Sequence, residues 1–90
     1  MKLLIINGPN LNLLGQREPG IYGHGTMEEC MTALRQRYPD HELEYYQSNV
    51  EGFLIDRLQQ ANAEGFEGAV LNAGAYTHTS IALHDCIRSL

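Results

Sequence analysis

Tryptophan is absent from this 90-residue sequence, lysine occurs once, and cysteine and proline occur two and three times. Each scarcity excludes something. Six basic side chains against eleven acidic ones give a net charge of −5. The single Lys2 and the five scattered arginines form no cluster of the kind that holds a phosphate backbone, so nucleic acid is not the expected partner. An anionic membrane surface is disfavoured for the same reason. No apolar run approaches the roughly 20 residues of a spanning helix. The apolar start Leu3-Leu4-Ile5-Ile6 is too short for a secretory leader and lacks a small-residue cleavage site. We therefore expect a cytoplasmic protein. Cys30 and Cys86 form no C-x-x-C pair, and both fall on apolar helical stripes, so they read as buried free thiols rather than a disulfide or metal ligands. At 10.1 kDa and 43% hydrophobic residues, the chain has room for one small domain, residues 1–90, and no second.

What is present is an alternation of apolar runs and amphipathic stripes. The opening aliphatic run does not alternate with polar residues, as expected of a strand covered on both faces in a parallel sheet. It ends at Asn7-Gly8-Pro9. From Gly8 to Gly25 the chain holds five glycines and two prolines in eighteen residues, which reads as a long loop carrying Asn10, Arg17, Glu18 and Tyr22. Loops of that length in a compact domain are commonly functional, and this one is expected to be an active-site loop or lid.

Thr26 with Glu29 has the spacing of a capping box, and Met27, Cys30, Met31, Leu34 and Tyr38 then recur at helical spacing until Pro39. Glu42-Leu43-Glu44-Tyr45 alternates, as an edge strand with one more exposed face does, and leads into Tyr46 and Gln47. Ser48 and Glu51 repeat the capping-box spacing before Val50, Phe53, Leu54, Leu58 and Ala61, a second helix expected to end near Gly65. Phe66 to Leu71 reads as a third strand. A third helix is expected from about Ser80, with Leu83, Cys86, Ile87 and Leu90 on one stripe.

Strand and helix alternating three times implies right-handed crossovers and a doubly wound α/β fold. In the flavodoxin-like order the first strand lies between the second and the third, and a fourth strand lies beyond the third. Residues 1–90 supply no fourth strand. Gly68-Ala69-Val70-Leu71 would be left as an apolar unpaired edge, an arrangement natural domains avoid. The expectation is therefore an incomplete domain, the amino-terminal portion of a longer one.

In such sheets ligands bind beyond the carboxyl ends of the strands where strand order reverses. Two segments fall there: Asn7-Gly8-Pro9-Asn10-Leu11-Asn12 with its loop, and Asn72-Ala73-Gly74-Ala75-Tyr76-Thr77-His78-Thr79-Ser80. The second places a glycine-containing turn before a helix start, where amides favour an anion. A nucleotide is disfavoured. No G-x-x-x-x-G-K followed by Ser or Thr occurs, and Gly23-His24-Gly25 lacks the third glycine of a dinucleotide fingerprint. The strand ends carry Asn7 and Asn72 rather than the acidic residues a Mg²⁺-binding receiver domain uses. His24, His41, His78 and His84 form no metal-binding spacing, so no metal or other cofactor is expected.

A phenol has a pKa near 10, and a guanidinium within about 4–6 Å favours its ionised form. Tyr22 with Arg17 can therefore supply a general base, or Tyr22 can be a loop anchor and Arg17 a solvated charge. Tyr46 and Tyr76 compete for the base role, while Tyr38 lies on an apolar stripe and Tyr45 inside a strand. His78 can contact a hydroxyl or carboxylate, or cap the third helix. Asn72 is open to a ligand role or to a turn role, and Asp85 to a functional role or to being a solvated helix charge.

Taken together, the motifs resemble type II 3-dehydroquinate dehydratase over essentially all 90 residues. They are Ile6-Asn7-Gly8-Pro9-Asn10-Leu11-Asn12, Leu14-Gly15-Gln16-Arg17-Glu18-Pro19, Ile21-Tyr22-Gly23, Gln47-Ser48-Asn49, Asn72-Ala73-Gly74, and Thr77-His78-Thr79-Ser80-Ile81-Ala82-Leu83 followed by Asp85. The resemblance implies a flavodoxin-like fold, the shikimate pathway, and anti elimination of water from 3-dehydroquinate through an enolate, without metal or cofactor. It makes Tyr22 the proton acceptor and Arg17 the group that keeps its phenol ionised and stabilises the transition state. It gives Asn10 a water beside the enolate oxygen, and Asn72 and His78 the substrate. Asp85 would reach a neighbouring subunit's site in a homododecamer. The unrelated type I enzymes use a Schiff-base lysine, and Lys2, at the start of the first strand, is badly placed for that. The family's general-acid histidine and later Ser and Arg lie in a continuation that residues 1–90 do not contain. The 90 residues alone are accordingly expected to lack an acid and to turn over poorly.

Overall fold

The structure, a computed structural model, describes residues 1–13 and 25–90. Residues 14–24 of the expected loop, with Arg17, Glu18 and Tyr22, lie outside the described residues. Three strands, β1 (Lys2–Asn7), β2 (Glu42–Gln47) and β3 (Gly68–Asn72), form a parallel sheet in the order β2-β1-β3. The expected strand order is thus observed. The helices are α1 (Met27–Arg37), α2 (Glu51–Ala63), a single turn α3 (Tyr76–Thr79) and α4 (Ile81–Ser89), with a 3₁₀ turn at Leu11–Leu13.

Register decides the layers. Leu4 and Ile6 pair with Glu44 and Tyr46 on one side and with Ala69 and Leu71 on the other. Alternation puts these residues on one face of the sheet. There Leu4 and Ile6 are fully buried with Leu54, Leu58 and Ala61 of α2 and Leu83 and Cys86 of α4. Full burial of a Leu or Ile side chain contributes roughly 1.5–3 kcal/mol, so this layer carries much of the stability. Leu3 and Ile5 face the other way and are half-buried. Met31, the buried residue of α1, lies outside that core, and Arg35 of α1 donates twice to the Leu43 carbonyl, at 3.2 and 3.0 Å. Helix α1 thus covers the second face.

Local chemistry explains most element boundaries. Thr26 caps α1 by accepting from the Glu29 amide at 3.1 Å, and Ser80 caps α4 by accepting from the Leu83 amide at 2.9 Å. Helix α2 ends just before Gly65, whose φ of +82° turns the chain into β3. The helix start expected at Ser48 is not observed. Ser48 Oγ accepts from the amide of Val50, two residues on, at 3.0 Å, so α2 begins at Glu51 with Val50 as an N-cap that makes no side-chain bond. A hydroxyl closing a short turn on the nearest amide cannot also cap the helix.

Three further expectations need correction. Cys30 is an exposed free thiol, whereas Cys86 is buried as expected. Helix α1 meets the sheet along a narrow line through Met31, which leaves Cys30 outside it. Phe53 is 55% exposed because the α2 stripe that meets the sheet runs through Leu54, Leu58 and Ala61. On α4, Ile87 and Leu90 are likewise about half exposed. The edge strand expected at β2 is observed, with Glu42 exposed and the Glu44 side chain 46% exposed. Glu44 Oε2 accepts from Arg57 Nη2 at 3.0 Å, and the guanidinium of Arg57, a side chain only 13% exposed, lies 5.3 Å from the Phe66 ring centroid.

Candidate active site

The carboxyl ends of the three strands meet at Asn7, Gln47 and Asn72, which stand opposite one another in register. Main-chain bonds extend the ladder past the sheet. Ser48 donates to the Asn7 carbonyl at 3.1 Å, and Gly8 donates to the Asn72 carbonyl at 2.7 Å. The loops that follow β1 and β3 therefore leave the sheet in contact. A Cβ on Gly8 would lie 2.5 Å from the Ala73 carbonyl oxygen, so this approach requires glycine. Gly74, at φ +61°, backs onto the Pro9 carbonyl in the same way, with 3.1 Å for an added Cβ.

Asn7 is buried and donates through Nδ2 to the Tyr45 hydroxyl at 3.3 Å. That bond ties Tyr45 to the strand end. Asn10 has φ +70°, the left-handed region that asparagine tolerates better than most residues. Its amide donates to Asn49 Oδ1 at 3.0 Å. Gln47 Nε2 reaches Gly8 O and Asn49 Oδ1, each at 3.1 Å, and the Tyr76 hydroxyl donates to the Asn49 carbonyl at 3.3 Å. Three strand-end loops are joined at Asn49.

Of the sequence candidates, Asn10 and Asn72 fall in this group of loops, with His78 six residues past Asn72 in α3. Asn72 Oδ1 accepts from the Gly74 amide at 3.1 Å, so the side chain does hold the turn. His78 is exposed and does not cap α4, a role taken by Ser80. Asp85 is exposed on α4, while its neighbour Cys86 is buried; burial above all, and then the Asp85 charge, push the Cys86 thiol pKa up. Arg17 and Tyr22 lie outside the described residues, so the proposed base pair is not placed.

The turn before α4 differs from the anion cradle the sequence suggests. The amides of Tyr76, Thr77, His78 and Ser80 already donate to the carbonyls of Ala73, Gly74, Ala75 and Tyr76 at 3.0–3.2 Å. Those four donors belong to the α3 turn. Among the described residues no three His, Cys, Asp or Glu side chains converge to hold a metal ion. An apolar groove of about 320 Å³ runs along β3 between Leu58, Phe66, Ala69, Leu71 and Ile87, away from the strands' carboxyl ends. It lacks the convergent polar groups of the loop cluster.

The sequence reading assigned no role to Gln47 or Asn49, although both belong to a motif it quoted. A polar pair directly at the carboxyl end of a strand was the available signal.

The family described as dehydroquinase class II matches residues 1–90. The chain belongs to this family. It is 55% identical over 89 residues to 3-dehydroquinate dehydratase of Synechococcus sp. (strain WH7803), covering 97% of this chain and 60% of the relative. It is 52% identical over 89 residues to the catabolic 3-dehydroquinase of Clavispora lusitaniae (strain ATCC 42720), covering 96% and 61%. Among solved structures, type II dehydroquinase from Butyrivibrio crossotus DSM 2876 superposes with a TM-score of 0.92 at 47% identity, over 99% of this chain and 63% of that one. The chain thus spans about 60% of the length of the curated relatives it matches. The family match accounts for the β2-β1-β3 sheet and for the ordered motifs at its carboxyl edge.

Proposed function

We propose that the protein dehydrates 3-dehydroquinate to 3-dehydroshikimate, as a type II hydro-lyase of the shikimate pathway in the cytoplasm. The observation that carries this reading is the family match over residues 1–90. The convergence of the Asn10 and Asn72 loops at the strand ends supports it, because this is where an open parallel sheet binds its ligand.

In this reading Tyr22 takes the C2 proton as a phenolate, and Arg17 favours that ionised form by its nearby positive charge. Electron density moves toward the substrate carbonyl, and Asn10 holds a water beside the oxygen that becomes negative. Asn72 and His78 bind substrate. The turn commits Asn72 Oδ1 to Gly74, so the carboxamide presents N–H donors to a substrate oxygen. Asp85 completes the site of a neighbouring subunit in a homododecamer, which its exposure on α4 permits. Residues 1–90 form one unit of this enzyme, and protonation of the leaving hydroxyl is assigned to none of them. In this reading the pathway serves chorismate and aromatic amino acid synthesis, and relatives named both simply as dehydratase and as catabolic support the reaction.

The test is growth of enone ultraviolet absorbance from 3-dehydroquinate with the purified protein and with Tyr22→Phe. A general base contributes typically about 10²–10⁴-fold, so the variant should lose at least about a hundredfold in turnover. Near-parent turnover in Tyr22→Phe overturns the base assignment. A folded protein that neither binds nor turns over 3-dehydroquinate overturns the whole reading.

A further inference from the structure

The carboxyl end of β2 carries two side chains with no place in the reaction above, yet they hold the loop that has one. Asn49 Oδ1 accepts two bonds, from the Asn10 amide at 3.0 Å and from Gln47 Nε2 at 3.1 Å. Gln47 Nε2 in turn donates to Gly8 O at 3.1 Å and approaches Asn12 Oδ1 at 3.5 Å. A carboxamide oxygen accepts two bonds and its nitrogen donates two. The path Gly8 O, Gln47, Asn49, Asn10 N uses both capacities and closes a ring around Pro9. The element it encloses is strained, because Asn10 sits at φ +70°. Left-handed backbone is uncommon outside glycine, and although asparagine adopts it more readily than most residues, it persists where its surroundings hold it. The Asn49 main chain is itself held from the third loop by the Tyr76 hydroxyl at 3.3 Å.

We propose that Gln47 and Asn49 are positioning residues that lock the left-handed turn at Asn10 and so aim its side chain at the reacting carbonyl. The proposal rests on the role given to Asn10 above. The direction of each hydrogen bond separates it from simple packing. Asn49→Asp keeps an acceptor oxygen for both donors. Gln47→Glu puts carboxylate oxygens against Gly8 O and Asn49 Oδ1, acceptor against acceptor. Both substitutions are nearly isosteric, so a role in packing alone tolerates both equally.

The first measurement is hydrogen exchange of the Asn10 amide by NMR, without substrate, in the parent, Asn49→Asp, Asn49→Leu and Gln47→Glu. Exchange should stay close to the parent rate in Asn49→Asp and rise at least about tenfold in the other two. The second is enone formation with kcat and KM separated and melting temperatures taken alongside. Asn49→Leu and Gln47→Glu should lose about tenfold or more in kcat with little change in KM. Asn49→Asp should restore kcat to within about threefold. Combining Gln47→Glu with Asn10→Ala should add little to Asn10→Ala alone, because both act through one group. Equal behaviour of Asn49→Asp and Gln47→Glu in the exchange experiment overturns the lock. Faster exchange with unchanged kcat overturns its link to the reaction. If the parent neither binds 3-dehydroquinate nor forms enone, the proposed function fails, and the exchange series still decides whether Gln47 and Asn49 hold Asn10.

Discussion

Replacing Gly8 with alanine places a methyl group 2.5 Å from the carbonyl oxygen of Ala73 and 2.8 Å from its carbon. Both are backbone atoms, so no flexible side chain can move aside. Either the β1 and β3 loops part or the Gly8 peptide turns, and both break the 2.7 Å bond from the Gly8 amide to the Asn72 carbonyl. Forcing a methyl into a packed site costs about 1–3 kcal/mol. Loss of the hydrogen bond costs about 0.5–1.5 kcal/mol more. Gly8→Ala should therefore destabilise by about 2–4 kcal/mol, a large part of a small domain's stability. Gly52 supplies the control. It lies in the first turn of α2 with no atom within 4 Å of an added Cβ, so alanine there should stabilise by up to about 0.8 kcal/mol through helix propensity. Urea unfolding followed by circular dichroism reads both, and with a slope of about 1–3 kcal/mol/M the Gly8→Ala midpoint should fall by about 1 M or more. A Gly8→Ala midpoint equal to the parent's, beside a Gly52→Ala midpoint that rises, would refute the backbone contact between the two loops.

Two further predictions concern the rest of the molecule. Burial, and secondarily the Asp85 charge, hold the Cys86 thiol protonated in the folded state. Above about pH 8.5 the unfolded chain loses a thiol proton that the folded protein keeps, so stability should fall with rising pH until the folded thiol also ionises, by at most about 1.4 kcal/mol per pH unit. Cys86→Ala should show a shallower alkaline decline in urea midpoints between pH 8 and 10, and parallel declines would refute the assignment. Arg57→Ala removes the 3.0 Å bond to Glu44 and the guanidinium beside Phe66, and should cost about 1–2 kcal/mol, whereas Arg57→Met keeps the apolar stem and should lose less. Equal urea midpoints for the two variants would show that the stem contributes nothing.

Features set by chemical neighbours in the sequence were legible. The Thr26 cap, the helix start near Ser80, the Gly65 turn and the aliphatic β1 run each depend on residues within a few positions. The strand order followed from the flavodoxin-like pattern, which the alternation of strands and helices suggested. Exposure along the helices was less legible, because it depends on where the sheet lies. Cys30 and Met31 share the α1 stripe, yet Met31 alone of α1 is buried. Ser48 and Glu51 have capping-box spacing, but a hydroxyl has one local geometry to commit, and the turn at Val50 takes it. The candidate site divides along the same line. Asn72 and Asn10 were visible as polar residues at strand ends, while the bond from Gln47 to Gly8 spans 39 residues and exists through the pairing of Asn7 with Gln47.

That pairing also explains why the site loops need asparagine and glutamine rather than charge. The strand ends bring carbonyl oxygens of Asn7, Gly8 and Asn72 close together, and a cluster of acceptors requires donors that carry no counter-charge of their own. Main-chain amides meet the Asn7 and Asn72 oxygens, and a carboxamide nitrogen meets that of Gly8. An acidic side chain at position 47 would repel these oxygens, and a lysine would bring donors without the acceptor oxygen a carboxamide also carries. Carboxamides supply donor and acceptor on one short planar group, so Gln47, Asn49 and Asn72 each tie a loop with atoms whose polarity is fixed by the backbone they meet.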